Sequence, residues 1–139
     1  MNENTKKELQ SATFERLLKH LDERKDVQNI DIMNLAGFCR NCLSRWYREE
    51  AEKKNISIMT EDKKKEIQSA TFERLLKHLD DRKDVQNIDL MNLANFCRNC
   101  LSRWYREEAE KKGITVSDMD ARKQIYGMSY SEWKEKHQK

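Results

Sequence analysis

Proline is absent from the chain, and glycine occurs only at Gly37, Gly113 and Gly127 in 139 residues. Sheet proteins turn on these two residues, so their scarcity argues against a β-rich fold and favours long helices. Apolar residues are also sparse at 37%, and no run approaches the roughly 20 needed to span a membrane. The opening Met1-Asn2-Glu3-Asn4 lacks the basic and apolar stretches of a secretion signal, so a cytoplasmic protein is expected. In that compartment four cysteines are reduced, ligating or simply buried rather than a disulfide framework.

Charge, by contrast, is plentiful. Acidic and basic residues make up 38% of the chain, against about 25% in ordinary globular proteins. The 28 basic and 25 acidic side chains leave a net charge of only +3 and are interleaved. Arg45 and Glu49, Arg48 and Glu52, Glu49 and Lys53, and Glu50 and Lys54 all stand four apart. Such pairs stabilise a solvated helix face. A nucleic-acid surface would cluster cations on one face instead, so nucleic acid is not an expected partner.

The dominant feature is a repeat. Shifted by 58 positions, Lys6–Lys54 overlays Lys64–Lys112 with four differences: Leu9/Ile67, Glu23/Asp81, Ile32/Leu90 and Gly37/Asn95. The sequence divides into a first repeat (1–58), a second (59–116) and an extension (117–139) that only the second copy carries.

Thr5-Lys6-Lys7-Glu8 has the spacing of a capping box, opening a helix whose apolar stripe runs Leu9, Phe14, Leu17, Leu18, Leu21. Asp31 is suited to cap a second helix, expected to run unbroken to about Lys54 with Leu35, Cys39, Cys42, Leu43 and Trp46 on one face. Asn55 and Gly113 tolerate the left-handed conformation that ends helices. Ser117-Asp118-Met119-Asp120 opens a short helix that Gly127 should stop, and Ser129-Tyr130-Ser131-Glu132 opens a last one carrying Trp133. The expected fold is all-α: two tandem helical hairpins plus two short C-terminal helices in one bundle. Neither hairpin buries its stripe alone, so the two should pack together about a pseudo-two-fold axis. The single extension should dock across both hairpins or leave one equivalent groove open.

Phe38-Cys39-Arg40-Asn41-Cys42, repeated as Phe96-Cys97-Arg98-Asn99-Cys100, is the one constellation that could carry chemistry. A redox pair needs its reactive thiol at a helix N-terminus, whereas Cys39 stands eight positions beyond Asp31. Mid-helix residues three apart also hold their Cβ atoms about 5–6 Å from each other, wider than the roughly 3.5–4.5 Å of a disulfide. A metal site is the next reading. Cys39, Cys42, Cys97 and Cys100 would complete a four-thiolate zinc or iron set if the central helices faced each other, with His20 and His78 as substitutes. The preferred reading places all four cysteines as core filler within the apolar stripe. Trp46, Trp104 and Trp133 read as core anchors. No His or Ser converges on Asp26 or Asp31 to complete a nucleophilic triad.

The run Asp84-Val85-Gln86-Asn87-Ile88-Asp89-Leu90-Met91-Asn92-Leu93-Ala94, then Phe96 to Ser102 and Trp104-Tyr105, with Tyr126-Gly127-Met128-Ser129-Tyr130 and Glu132-Trp133-Lys134, resembles a small bacterial family. It is the domain-of-unknown-function family numbered 1244. The resemblance covers residues 64–139, and residues 6–58 match its front part only. It implies an all-helical fold and carries over no catalytic residue. Relatives are usually single copies, usually have Pro where Ser129 stands, and often bear a polar, histidine-containing tail.

The sequence thus points to a small, non-enzymatic helical binding or assembly module with no resident cofactor. It would engage an unknown protein partner or itself, and no membrane. Structural metal binding through the paired CxxC motifs is the alternative, and an enzyme with a site between the repeats is third.

Overall fold

A computed structural model describes residues 2–139. They form eight helices: α1 (Glu3–Glu23), α2 (Asn29–Ala36), α3 (Arg40–Lys53), α4 (Glu61–Asp81), α5 (Asn87–Ala94), α6 (Arg98–Lys111), α7 (Asp118–Tyr126) and α8 (Tyr130–His137). No strand occurs among the described residues, as the scarcity of proline and glycine implied.

Each expected hairpin is in fact three helices. The long second helix breaks at Gly37 (φ 75°) and Asn95 (φ 62°), both left-handed, whose N–H groups close α2 and α5 on the carbonyls of Met33 and Met91 at 2.9 Å. Backbone then runs extended through Cys39 and Cys97 before α3 and α6 begin. The physical reason lies in the Gly37/Asn95 difference itself: glycine and asparagine are the two residues that most readily occupy the left-handed C-cap. The cap of α2 is also shifted. It falls on Gln28, leaving Asp31 in the first turn, where its charge favours the helix N-terminus.

The opening cap moves too. The Asn2 side chain, rather than Thr5, caps α1, accepting from the Thr5 N–H at 2.8 Å. Its counterpart Thr60 caps α4 through the Lys63 N–H at 3.2 Å. Starting one turn earlier satisfies the same orphan donors and adds Glu3 to the positive end of the helix.

The long helices α1 and α4 pack on each other, α1 packs also on α6, α4 on α3, and α2 on α5. Contacts across the repeats come in matched pairs. His20 Nε2 donates to the Ala94 carbonyl and His78 Nε2 to the Ala36 carbonyl, both at 2.8 Å. Each imidazole lies against the other copy's aromatic pair, His20 on Phe96 and Trp104, His78 on Phe38 and Trp46. Arg16 reaches Glu107 at 2.7 Å over the Trp104 ring, and Arg74 reaches Glu49 at 2.8 Å over Trp46. Such reciprocity is the signature of a two-fold interface, here within one chain.

At the α1–α4 contact Ser11 Oγ donates to Gln68 Oε1 and Ser69 Oγ to Gln10 Oε1, both at 2.6 Å. The amide nitrogens of Gln10 and Gln68 turn outward to Glu73 and Glu15. The polar groups buried between the repeats therefore satisfy one another, which fixes helix register. Around them Phe14, Leu17, Phe72, Leu75, Trp46 and Trp104 fill the core, all buried.

Candidate functional site

Two features stand out: the thiol pairs and a groove that the fold covers in one copy only. The break in each long helix relocates the cysteines. Cys39 and Cys97 are the N-cap residues of α3 and α6, not mid-helix positions, and Cys42 and Cys100 follow in the first turn. The mid-helix placement expected above is thereby corrected, because Gly37 and Asn95 end the preceding helix. All four thiols are free and buried, with 4–5% of their surface exposed.

Among the described residues, no three His, Cys, Asp or Glu side chains form a group that could hold a metal ion. Each pair stands as two thiols. His20 and His78 commit Nε2 to a main-chain carbonyl; since a carbonyl only accepts, that nitrogen carries the proton.

In the second copy the two thiols interact directly. The hydrogen bond from Cys97, reinforced by the nearby charge of Arg103, holds the Cys100 thiol down to about 6. The same contact, together with burial, drives Cys97 upward. The pair thus gives up its first proton easily and its second with difficulty, as expected when two acids share one proton. The α6 N-terminus adds positive potential there.

The groove lies between α1 and α3 in the first copy and between α4 and α6 in the second. In the second copy α7 and α8 cover it. Tyr126, Ile125 and Trp133 enter the core, and Ala121 meets Leu9, Tyr105 and Ala109. Tyr126 Oη donates to Asn99 Oδ1 at 2.5 Å and accepts from Asn87 Nδ2 at 2.9 Å. Gln86 binds the His137 carbonyl and the Lys139 N–H, both at 3.0 Å. The Trp133 ring stacks 4.9 Å from the Arg98 guanidinium.

The first copy presents the same groove uncovered. Phe14, Leu18, Leu43 and Tyr47 line an apolar channel of about 520 Å³. Their counterparts are Phe72, Leu76, Leu101 and Tyr105, identical residue by residue. Leu18 is 37% exposed, and Ser44 is exposed where Ser102 is buried. Asn41, the counterpart of Asn99, faces solvent. The extension leaves this groove open, one of the two expected arrangements, and it also reaches the first repeat, where Ala121 of α7 shares a cluster with Leu9 of α1.

At the head of each groove sits an arginine that the sequence reading passed over. Arg98 donates to the carbonyls of Val85, Leu79 and Arg82 and to Asn87 Oδ1, at 2.8–3.1 Å. Arg40 makes the same four bonds to Val27, Leu21, Arg24 and Asn29. It closes the C-terminus of the long helix on the start of the next unit. An arginine between two cysteines looks like a surface cation in sequence; only the fold shows that it replaces missing helical donors.

No helix among the described residues is long and apolar enough to cross a membrane. Compared with curated proteins, the chain matches none. The family described as "Protein of unknown function (DUF1244)" matches residues 27–79 and again residues 85–139. The second match runs through α7 and α8, and the first passes from α3 across the linker into α4. With well over half of the chain matched, and matched twice, the protein belongs to the DUF1244 family as a tandem duplication.

Proposed function

We propose that the protein is a non-enzymatic, cytoplasmic binding or assembly module whose working surface is the open groove of the first copy. Its occupant is a pair of short helices of the α7–α8 kind, supplied in trans by another chain. The observation that carries this reading is internal to the molecule. One surface occurs twice with the same residues, and the copy that has the segment 117–139 buries it there. Identical lining, Leu18 for Leu76 and Tyr47 for Tyr105, and identical polar anchors, Asn29, Arg40 and Asn41, provide the same recognition chemistry. The occupant must present Ile and Ala to the channel, a tyrosine hydroxyl to the paired asparagines, and an indole to Arg40. Burying apolar surface at about 25 cal/mol per Å² supplies the driving force, less the cost of ordering the segment.

A synthetic peptide of residues 117–139, titrated into the full chain, tests this. One peptide should bind per chain, with Leu18 and Tyr47 losing amide exchange. Leu18→Glu should abolish binding while melting stays cooperative. A folded chain that ignores the peptide overturns the proposal. So do chains that cover the groove by pairing with each other, which sedimentation would detect.

A further inference from the structure

The thiol pairs have a geometry that core filling does not require. The N-cap residue stands outside the helix while the residue three positions on lies in its first turn. In a capping box these two side chains turn toward each other. Cys39 (φ −153°, ψ −173°) and Cys97 (φ −156°, ψ −174°) occupy the N-cap, and Cys42 and Cys100 the facing position. The roughly 5–6 Å Cβ spacing of residues inside a helix therefore does not apply. In the second copy each thiol already shifts the other's ionisation. Each pair also has an approach from outside. Cys42 lines a cavity of about 290 Å³ with Arg45, Arg74 and His78, and Cys97 lines one of about 480 Å³ beside Tyr130 and Trp133.

We infer that each Cys-x-x-Cys pair is a redox-active dithiol that exchanges with a small peptide disulfide and closes an intramolecular disulfide at the N-terminus of α3 or α6. The thiolate of Cys42 or Cys100 attacks one sulfur of the small disulfide, forming a mixed disulfide and expelling a thiolate. That thiolate takes the proton of Cys39 or Cys97. The freed sulfur then attacks the mixed bond and releases the second small thiol. Two protein thiols are oxidised, and one small disulfide is reduced to two thiols. The first attack falls to Cys100 in the second copy, where Cys97 and the charge of Arg103 favour its thiolate, and to Cys42 in the first, where it is the thiol that lines the cavity beside Arg45.

Oxidised glutathione, a peptide disulfide, is the probe. The native chain is incubated with it near neutral pH, quenched in acid, unfolded, alkylated and mapped by mass spectrometry. The four free thiols should fall to none, linked as Cys39–Cys42 and Cys97–Cys100, with the helical signal retained. In the C39S/C97S variant, where the second step is blocked, about one glutathione adduct per pair should accumulate on Cys42 and Cys100. Oxidation that occurs only in denaturant, links that join the two copies, or a variant without adducts overturns the inference. It is equally overturned by zinc or iron that shields the thiols and leaves on unfolding. None of these readouts depends on peptide binding to the groove, so the two proposals fail separately.

Discussion

Arg40 and Arg98 offer an experiment that the duplication has already half performed. Both guanidiniums make the same four hydrogen bonds, and they differ in what lies above them. Trp133 and α8 seal Arg98 to 2% exposure, whereas Arg40 is only half-buried at the head of the open groove. Arg98→Met keeps the aliphatic stem and removes the donors, leaving the Val85 carbonyl without a partner in a dry site and stripping the Leu79 and Arg82 carbonyls of their second bond, so that each keeps only a backbone N–H. A buried acceptor left unmet costs about 1–3 kcal/mol. The lost stacking on Trp133 adds about 1 kcal/mol. Allowing for relaxation, the total should be about 3–5 kcal/mol.

Arg40→Met removes the same bonds, but water reaches the Leu21 and Arg24 carbonyls and takes over at small cost. A loss of about 1–2 kcal/mol is expected there. The difference of ~2 kcal/mol corresponds to roughly 6 °C in Tm for a chain of this size. Urea unfolding followed by far-ultraviolet circular dichroism and tryptophan fluorescence gives both values, provided that the two probes coincide. Equal losses would show that α8 does not desolvate Arg98 and would refute the reasoning. With the 117–139 peptide bound, Arg40→Met should become as costly as Arg98→Met, an added check on the groove.

Four further outcomes follow from particular contacts. Gly37→Ala forces a Cβ into 2.6 Å of the Arg82 guanidinium at a φ of 75° and should cost about 1–3 kcal/mol by thermal melting. Asn95→Gly, at the equivalent left-handed position, should change stability by less than about 1 kcal/mol. Iodoacetamide labelling of Cys100 should rise with a midpoint near 6, protonated and slow below it and thiolate and fast above it. A midpoint at the ordinary thiol value would remove the Cys97–Cys100 contact from the account. Gln10→Leu strands Ser69 and should cost about 1–3 kcal/mol in urea unfolding; a neutral result would show that the α1–α4 polar pair does not set register.

The helical class, the duplication and the burial of the three tryptophans were legible because they depend on composition and on the 3.6-residue period, which one sequence displays directly. The helix break was legible in principle. Of the four positions that differ between copies, Gly37/Asn95 pairs the two residues that share the left-handed region, and that pairing is the mark of a C-cap. A periodic apolar stripe hid it, since Leu35, Cys39, Cys42 and Trp46 keep helical spacing across the gap. The position of the cysteines followed from that one misreading: a residue buried mid-helix and a residue at an N-cap have the same letter and the same neighbours. The cross-copy contacts of His20 and Arg16 were not legible, because they depend on which third helix each long helix packs against. The open groove could be inferred only as one of two alternatives. Pattern alone shows that Tyr47 and Tyr105 are the same residue, and only three-dimensional packing shows that Tyr105 is buried in one cluster with Ala121 of α7 while Tyr47 lines the open channel. The duplication therefore does more than double a surface. By supplying two interfaces and one cover, it leaves an apolar groove unfilled beside the Arg40 clamp.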